Sequence, residues 1–516
     1  MTKNEDDHGD AQEKGVPSST PDAKSIDPDL ALNLAGATGV GESSTSRSIA
    51  QSSLYLVIRR FGILAMSFFS TIVITRKLGP GDYGDLQSAL ATWGLLLSIC
   101  DFGISMALVR EMAQNPKNHS SLLRASFFVQ GVWSIAIAIA MVGIALLTSS
   151  GFSQHAQILL ILAPSVLFSA LSSGKTLFRV RYQMGYAVMV DLVTTSIQVL
   201  LSIAVALLGY GAVGVAVVIS VTSIVNSGWI GWAAHRRSKA LDQQSWRASA
   251  RKLVRAALPL GSMSMLSGAY LTIDLVILGF IGASGSVGNY AAAVKVVSLA
   301  STLPGLLVSA AVPGFSENAA NEEVSGQLMS RLLHWMVAFA LPIFIAIVLF
   351  AKPITLVIFG RGFLNATTLI SVLAIAGLVG TISQLFSVML VAAAKMRPLI
   401  VQNTIATVFN VSFNIALIPV FGALACAWLT VATECIVCLG SAWTLFHTMR
   451  FRFPVAAART AFIVVVVSTA SGALLLMVNT TLSIIVYSLV LLAGLVVTGS
   501  WPVEFHPKKF LKVRAT

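Results

Sequence analysis

Charged side chains are scarce in this chain, since only 11% of its 516 residues are Asp, Glu, Lys or Arg. Soluble proteins carry about a quarter charged residues. Apolar residues make up 56%, and the mean hydropathy is +0.83. This composition excludes a soluble enzyme and a disordered chain. It also excludes a nucleic-acid-binding domain despite the net charge of +13, because Lys and Arg in a membrane protein mark its cytoplasmic side.

Residue types that bind metals, cofactors or nucleotides are few and lack the required spacing. The four cysteines lie inside apolar runs, which argues against a disulfide framework, and the seven histidines show no metal-ligand spacing. Gly174-Lys175-Thr176 lacks the glycine five positions earlier that a phosphate-binding loop needs. We therefore predict no metal, no cofactor and no nucleotide-driven motor. The predicted outer loops are also too short for a catalytic domain, so we expect no enzyme.

Residues 1–50 differ in composition from the rest of the chain. They hold nine of the 21 acidic residues and show no periodic apolar face. This pattern predicts a disordered cytoplasmic tail. A cleavable signal peptide is not expected, because the first long apolar run begins near Leu54 and no small-residue cleavage site follows it.

The remaining chain alternates between apolar runs and short polar loops. A helix needs about 20 apolar residues to cross the hydrocarbon layer, and most of the runs have about this length. The number of spans depends on the segment 352–363, which is a candidate re-entrant piece, and on two closely spaced pairs of runs. Twelve or thirteen spans are therefore alternatives to fourteen. The fourteen runs are 54–75, 84–109, 122–148, 156–174, 187–208, 211–234, 252–281, 287–312, 331–351, 366–393, 398–420, 422–447, 457–477 and 481–500.

Lysine and arginine are concentrated at alternate loops, on the side that both termini share when the number of spans is even. The opposite side has only Arg76, Lys77, Lys352 and Arg361. The distribution predicts that both termini are cytoplasmic. The stretch 242–257 combines Trp246 with basic residues and is typical of an amphipathic helix on the membrane surface.

These observations predict an all-α polytopic membrane protein with about fourteen transmembrane helices. We expect two parallel six-helix repeats followed by two further helices. The predicted parts are a tail (1–50), an N-terminal half (51–235), a cytoplasmic amphipathic linker (236–257), a C-terminal half (258–448) and a C-terminal pair of helices with a cytoplasmic tail (449–516).

Polar residues recur at equivalent positions in the fifth and eleventh runs. They follow i, i+4, i+7, i+11 spacing, which lines one face of a helix. Gly81-Asp82-Tyr83 and Gly288-Asn289-Tyr290 also match, six runs apart, as parallel repeats require. Helix packing alone explains a single polar stripe, whereas two equivalent stripes favour a shared cavity. The stripes are Asp191, Thr195, Gln198 and Ser202, and Asn403, Thr407, Asn410 and Asn414.

Charges inside predicted spans are candidate functional groups, because each is costly in lipid. Asp274 and Lys295 lie at similar depth in adjacent antiparallel runs, which predicts an ion pair. The pair would serve as a structural bridge, as a gate, or as a site that senses an ion or an anionic headgroup. At the inner end of the second run, a local pair between Asp101 and Arg110 is slightly favoured over an inward-facing Arg110. Glu434 has no obvious partner in the sequence and is, with Asp274, a candidate for ion coupling.

Arg59 and Arg60 stand at the start of the first run. Snorkelling to the interface explains them well. If they turn inward instead, their guanidinium groups match the geometry of a phosphorylated headgroup. Both interpretations stay open.

The chain resembles the polysaccharide-biosynthesis flippases, the Wzx-like branch of the multidrug/oligosaccharidyl-lipid/polysaccharide exporter superfamily. The resemblance covers essentially the whole membrane part, including Asp274, Lys295 and Gly422-Ala423. The acidic tail does not belong to the pattern. The segments that carry most of the resemblance are the run from Thr75 to Gly84, Asp101-Phe102-Gly103-Ile104, Ala107-Leu108-Val109-Arg110 and Gly288-Asn289-Tyr290.

The resemblance implies a transporter that moves an undecaprenyl-pyrophosphate-linked oligosaccharide across a bacterial plasma membrane, for assembly of O-antigen, capsule or exopolysaccharide. Its partners would be the polyprenyl-linked glycan and membrane lipids, with a polymerase and a chain-length regulator as further candidates and no nucleic acid. Two alternatives stay open. One is a cation-coupled exporter of amphipathic drugs, and the other is a membrane scaffold that transports nothing.

Overall fold

The computed structural model describes residues 28–114, 118–147, 153–238, 245–317, 322–393, 395–449, 455–476 and 479–497. Within these ranges the chain is helical and contains no strand, which confirms the predicted fold class. It divides into two units, Met1–Leu54 and Tyr55–Thr516. The described part of the first unit begins at Pro28 and has helical backbone, whereas the composition predicts disorder there. Residues 1–27 lie outside the described part.

Sixteen α-helices are described, and most have the length of a membrane span. The 3₁₀ turn Ser169–Gly174 extends α4, and the 3₁₀ turn Arg361–Phe363 follows α11. The helices are α1 (Pro28–Asp101), α2 (Ile104–Gln114), α3 (His119–Leu147), α4 (Gln154–Phe168), α5 (Lys175–Val180), α6 (Met184–Leu207), α7 (Gly211–Arg237), α8 (Trp246–Ile281), α9 (Ser284–Glu317), α10 (Glu322–Leu349), α11 (Ala351–Ile358), α12 (Ala366–Ala392), α13 (Met396–Phe421), α14 (Ala423–Met449), α15 (Val455–Leu476) and α16 (Thr480–Val497).

Each predicted apolar run coincides with helical backbone where the structure describes it. Among the described residues, ten stretches are long and apolar enough to cross a membrane, and one of them, Gly62–Gln114, contains the first two predicted runs. Three shorter apolar helices, Thr272–Ile281, Phe462–Leu476 and Thr480–Gly494, cover the others. Many large apolar side chains face outward, such as Leu147 and Leu474, as expected of helices that lipid surrounds.

Glycine breaks the first long helix where the sequence predicts a loop. Gly79 has φ +72° and precedes Pro80, which lacks a backbone N–H, so α1 kinks between the first two runs. A second break lies at Phe102 and Gly103, both with positive φ, and separates α1 from α2. The first two spans are therefore formed by α1 on either side of the kink, and the second continues into α2.

The predicted amphipathic linker is the first part of α8 and not a separate helix. Arg251 and Arg255 are exposed, whereas Leu253 and Ala257 are buried with residues of α2 and α3. Basic side chains of this part are thus exposed, whereas its buried face packs against α2 and α3. The helix continues without a break into the seventh span because no glycine or proline interrupts residues 246–257. Residues 239–244 of the linker lie outside the described part.

The segment 352–363 forms the short helix α11 and the 3₁₀ turn that follows it. The guanidinium of Arg76 in α1 donates hydrogen bonds to the backbone carbonyls of Val357 and Ile358. Phe363 is buried, and its ring meets Tyr83 edge to face at 6.0 Å between centroids. These contacts join α11 and the following turn to α1.

Candidate functional site

A polar cavity of about 370 Å³ lies within the N-terminal half. The stripe predicted on the fifth run is on α6, and three of its members, Asp191, Thr195 and Gln198, line the cavity. The fourth, Ser202, is buried but is not part of the lining. Residues of α1, α3, α4, α5 and α7 complete the wall. Most of the lining side chains carry hydrogen-bonding groups, which is unusual between helices that span lipid.

An ion pair with a shared amide forms one wall of this cavity. Lys175 Nζ lies 2.8 Å from Asp191 Oδ1. Asn226 Nδ2 on α7 donates to the same oxygen at 3.0 Å and to Thr194 Oγ1 at 2.8 Å. Opposite, Asp101 accepts a hydrogen bond from Gln130 Nε2 at 3.0 Å. The carboxylate of Asp191 is thus neutralised by a cation of the chain itself.

A second polar cluster surrounds Asp274 in the C-terminal half. Asn414 Nδ2 donates to Asp274 Oδ1 at 2.9 Å, and Thr430 Oγ1 lies 2.9 Å from Oδ2. The hydroxyl of Tyr290 lies 3.1 Å from Oδ2. Asn414 Nδ2 also lies 3.0 Å from Asn410 Oδ1. Among the described residues, no Lys, Arg or His forms an ion pair with this carboxylate.

The side chain of Asn414 has an oxygen without a partner. Asn414 is fully buried, and its Oδ1 accepts no hydrogen bond within the described part of the chain. A buried acceptor without a donor is costly. Carboxylate, amide and hydroxyl oxygens are the ligands that hard cations prefer, so a cation or an added proton fits this cluster.

Lys295 contacts the N-terminal half instead of Asp274. Its Nζ donates to Ser67 Oγ on α1 at 2.8 Å. The predicted ion pair between Asp274 and Lys295 is therefore wrong. Equal depth in two antiparallel helices does not fix how each is rotated about its axis: Asp274 faces α13 and α14, whereas Lys295 faces α1.

The predicted pair between Asp101 and Arg110 is also absent. Asp101 accepts hydrogen bonds from Ser105 and Gln130, and Arg110 is exposed. Nine positions amount to about two and a half helical turns, and the break at Phe102–Gly103 lies between the two residues. Arg59 and Arg60 lie on the helical backbone of α1, but their side chains fall outside the description.

The remaining candidates lie outside the Asp274 cluster. The carboxyl of Glu434 on α14 faces Gly380 of α12, where a Cβ atom would come within 3.0 Å of it. Thr407 donates to the backbone carbonyl of Asn403 at 2.8 Å. The eleventh-run stripe, on α13, therefore divides: Asn410 and Asn414 join the cluster, whereas Asn403 and Thr407 do not.

The repeated glycine motifs meet each other. A Cβ atom on Gly84 would come within 1.9 Å of the carbonyl oxygen of Ser284, and one on Gly288 would come within 1.9 Å of the carbonyl oxygen of Pro80. The segments matched by sequence are thus in backbone contact between α1 and α9. No larger residue fits there without a shift of the backbone.

Several residues of these clusters were not among the sequence-based candidates. Tyr290 and Lys175 occur in the sequence analysis only within the motifs Gly288-Asn289-Tyr290 and Gly174-Lys175-Thr176. Asn226, Thr430 and Ser67 are polar residues in apolar spans, and this isolation is the signal that could have identified them. Their partners lie on other helices, so their roles depend on helix rotation.

Comparison with known proteins assigns the family. The polysaccharide biosynthesis protein family matches residues 49–319, which is more than half of the chain, and the chain belongs to this family. The matched region includes the cavity of the N-terminal half, Asp274 and Lys295. No curated protein matches the chain.

Solved structures with the same fold are transporters. The lipid II flippase MurJ, in an inward closed conformation, is similar at a TM-score of 0.74 and 15% identity, over 87% of this chain and 99% of that one. An outward-facing multidrug resistance MATE family transporter is similar at 0.56 and 16%, over 80% and 96%. A transporter of the MOP superfamily from Pyrococcus furiosus is similar at 0.54 and 15%, over 78% and 96%.

Family and fold together define the class of the protein. It is a multi-pass helical membrane protein of the polysaccharide biosynthesis family, with the fold of flippases and multidrug transporters.

Proposed function

We propose that this protein is a flippase that moves a polyprenyl-pyrophosphate-linked oligosaccharide across the bacterial plasma membrane by alternating access. The observation that carries the proposal is the polar cavity in the N-terminal half, inside a bundle whose outer surface is apolar. A sugar chain has many hydroxyl groups that must keep hydrogen-bond partners while it crosses hydrocarbon. The lining of Asp191, Thr195 and Gln198 supplies donors and acceptors of this kind.

The pyrophosphate needs a cation in the path between the halves. Lys295 is the strongest candidate because its ammonium group lies beside α1, held only by the neutral hydroxyl of Ser67 among the described residues. A hydroxyl is a weaker partner than a phosphate oxygen, so the headgroup displaces it without breaking an ion pair. Further candidates are Arg59 and Arg60, at the start of the first span on α1, and Arg110 on α2.

Energy coupling is assigned to the cluster around Asp274. Its carboxylate, the unpartnered oxygen of Asn414 and the hydroxyl of Thr430 would hold a proton or a monovalent cation. Because α8, α13 and α14 each contribute one of these groups, occupancy of the cluster would favour one packing of the C-terminal half over another. Glu434, one turn from Thr430 on α14, is the second candidate for ion coupling.

The cellular setting follows from the same proposal. Both termini lie in the cytoplasm of the cell, and the glycan serves O-antigen, capsule or exopolysaccharide assembly. A polymerase and a chain-length regulator act on the translocated repeat units. Membrane lipids surround the bundle throughout.

A second candidate function is cation-coupled export of amphipathic compounds. The Asp274 cluster favours it, because a partly buried carboxylate without an ion-pair partner in the described chain is suited to bind or exchange a cation. The large polar cavity of the N-terminal half favours the glycan instead. An exporter of apolar compounds needs a mainly apolar pocket.

Gene deletion separates these functions. The flippase predicts loss of surface polymer and accumulation of lipid-linked repeat units that face the cytoplasm, both restored by the wild-type gene. Unchanged glycan with altered tolerance to cationic compounds would assign the exporter instead. A scaffold predicts that variants lacking both polar stripes, at normal membrane levels, still restore the polymer.

A further inference from the structure

A basic cleft lies apart from the two polar clusters, where the turn between α5 and α6 meets the end of α7. Its volume is about 660 Å³. The six described residues that line it include two arginines and two tyrosines and no carboxylate. They are Arg181, Tyr182, Gln183, Gly185, Tyr186 and Arg237. We name it the Arg181–Arg237 cleft.

Aromatic rings hold Arg237 in place. Its guanidinium carbon lies 4.1 Å from the centroid of the Tyr186 ring and 5.2 Å from that of Phe178. Trp229 Nε1 in turn donates to the hydroxyl of Tyr186 at 2.9 Å. Stacking occupies the face of a guanidinium and leaves its N–H edge available. The group is thus oriented before any ligand binds.

Arg181 is fixed beside it through the backbone. Its Nη1 donates to the carbonyl oxygen of Arg237 at 2.8 Å, which leaves its other N–H groups for a ligand. In the described chain neither arginine forms an ion pair with a carboxylate. Two oriented guanidinium groups with no carboxylate partner among the described residues form a site for a group with several anionic oxygens. Phosphate is the group that arginine forks match best.

The surroundings of the cleft indicate where that phosphate comes from. Trp229 and Trp232 on α7 are 42% and 54% exposed, and Met189 on α6 is 63% exposed. Exposed tryptophan is typical of the level at which lipid headgroups meet the hydrocarbon layer. Basic pockets between helices at this level suit anionic headgroups. We propose that the Arg181–Arg237 cleft binds the phosphate of an anionic phospholipid.

The neighbouring Arg236 provides a matched control. It carries the same charge one position away, but its guanidinium carbon stacks on Trp232 at 4.3 Å, and it does not line the cleft. Replacing Arg236 therefore changes the charge of the basic face without changing the site. If only a general attraction between basic residues and the membrane surface mattered, replacing any of the three arginines would have the same effect.

The test uses the full-length protein, purified in a neutral detergent, with thermal unfolding and lipid titration as readouts. Phosphatidylglycerol should raise the unfolding midpoint by several degrees, and phosphatidylcholine should not. Arg181→Gln and Arg237→Gln should each weaken the response to phosphatidylglycerol roughly tenfold, because each loses a charge-assisted contact. Arg236→Gln should respond like the wild type. If Arg237→Gln fails to fold because the stacking is lost, Arg181→Gln decides the outcome.

Three results would overturn the assignment. An equal loss of response in all three variants would mean that only the net charge of the surface matters. Stabilisation by inorganic pyrophosphate alone, dependent on Arg181 and Arg237, would assign the cleft to a soluble phosphate and not to a lipid. Absence of any response to phosphatidylglycerol would also contradict the proposal.

Discussion

Lys295 of α9 donates a hydrogen bond to Ser67 of α1 at 2.8 Å, so a cation from the C-terminal half is held by a neutral group of the N-terminal half. The contact joins the two predicted halves through two partly buried side chains. A cation in lipid needs a partner, and a single hydroxyl is a weak one. Lys295 is therefore the place where an anionic substrate could alter the contact between the halves.

Loss of the Lys295 charge should stop transport. Lys295→Met keeps the length of the side chain and removes its charge, and we expect surface glycan to fall to the level of the deletion strain. Ser67→Ala should retain most activity because the ammonium group stays available to the pyrophosphate. Surface glycan and membrane protein level are measured together. Full activity of Lys295→Met at normal level would contradict a role in substrate binding.

Asp274 should be needed for coupling and not for folding. Asp274→Asn keeps the shape and removes the negative charge, so a cation or proton is no longer held. We expect normal membrane level, loss of glycan export and loss of any response to the coupling ion. Thr433→Ala is the control, because Thr433 contacts Asn410 at 3.3 Å but makes no described contact with Asp274. Equal defects in both variants would indicate a packing role.

The contact of Gly84 with the Ser284–Gly288 segment should tolerate no side chain. A Cβ atom on Gly84 would lie 1.9 Å from a backbone oxygen, and overpacking of this kind costs about 1–3 kcal/mol. Gly84→Ala should therefore lower the unfolding midpoint of the purified protein by several degrees. Gly81→Ala, three positions away with nothing within 4 Å of the added atom, should not. Similar midpoints for the two variants would exclude the close contact.

Removing one partner of the Lys175–Asp191 pair should destabilise the N-terminal half. Asp191 is 8% exposed and Lys175 is 35% exposed, so Lys175→Met removes an ammonium group that lies 2.8 Å from a nearly buried carboxylate. Breaking a buried pair costs about 3–5 kcal/mol. Because Lys175 is partly exposed, we expect the free energy of unfolding to fall by an amount at or below the lower end of this range. The double variant Lys175→Met with Asp191→Asn should recover part of the midpoint. No difference between the single and double variants would contradict this coupling.

Helix positions and the polar face of α6 were predictable from sequence because both depend on local patterns. Apolar runs of the right length form spans in lipid whatever their neighbours are. The spacing of Asp191, Thr195 and Gln198 determines that they share a face, and these three residues line the cavity in the structure.

Contacts between helices were less predictable because they depend on rotation about each helix axis. Asp274 was expected to meet Lys295 on the basis of depth alone, but it meets Asn414 and Thr430, far away in the sequence. Asn226 completes the Asp191 group from α7 in the same way. A single sequence contains no signal for which polar residues of different spans face each other.

Movement of a lipid-linked glycan between leaflets can be measured with the purified protein in reconstituted vesicles. Purified protein is inserted into vesicles that contain a polyprenyl-pyrophosphate-linked oligosaccharide. A glycan-cleaving enzyme that cannot enter the vesicles is added outside them. The fraction of oligosaccharide that it cleaves reports transfer from the inner to the outer leaflet. Wild-type protein should increase the cleaved fraction over time, whereas Lys295→Met and Asp274→Asn should stay at the level of protein-free vesicles. Equal cleavage with and without wild-type protein would contradict transport of the glycan by this protein.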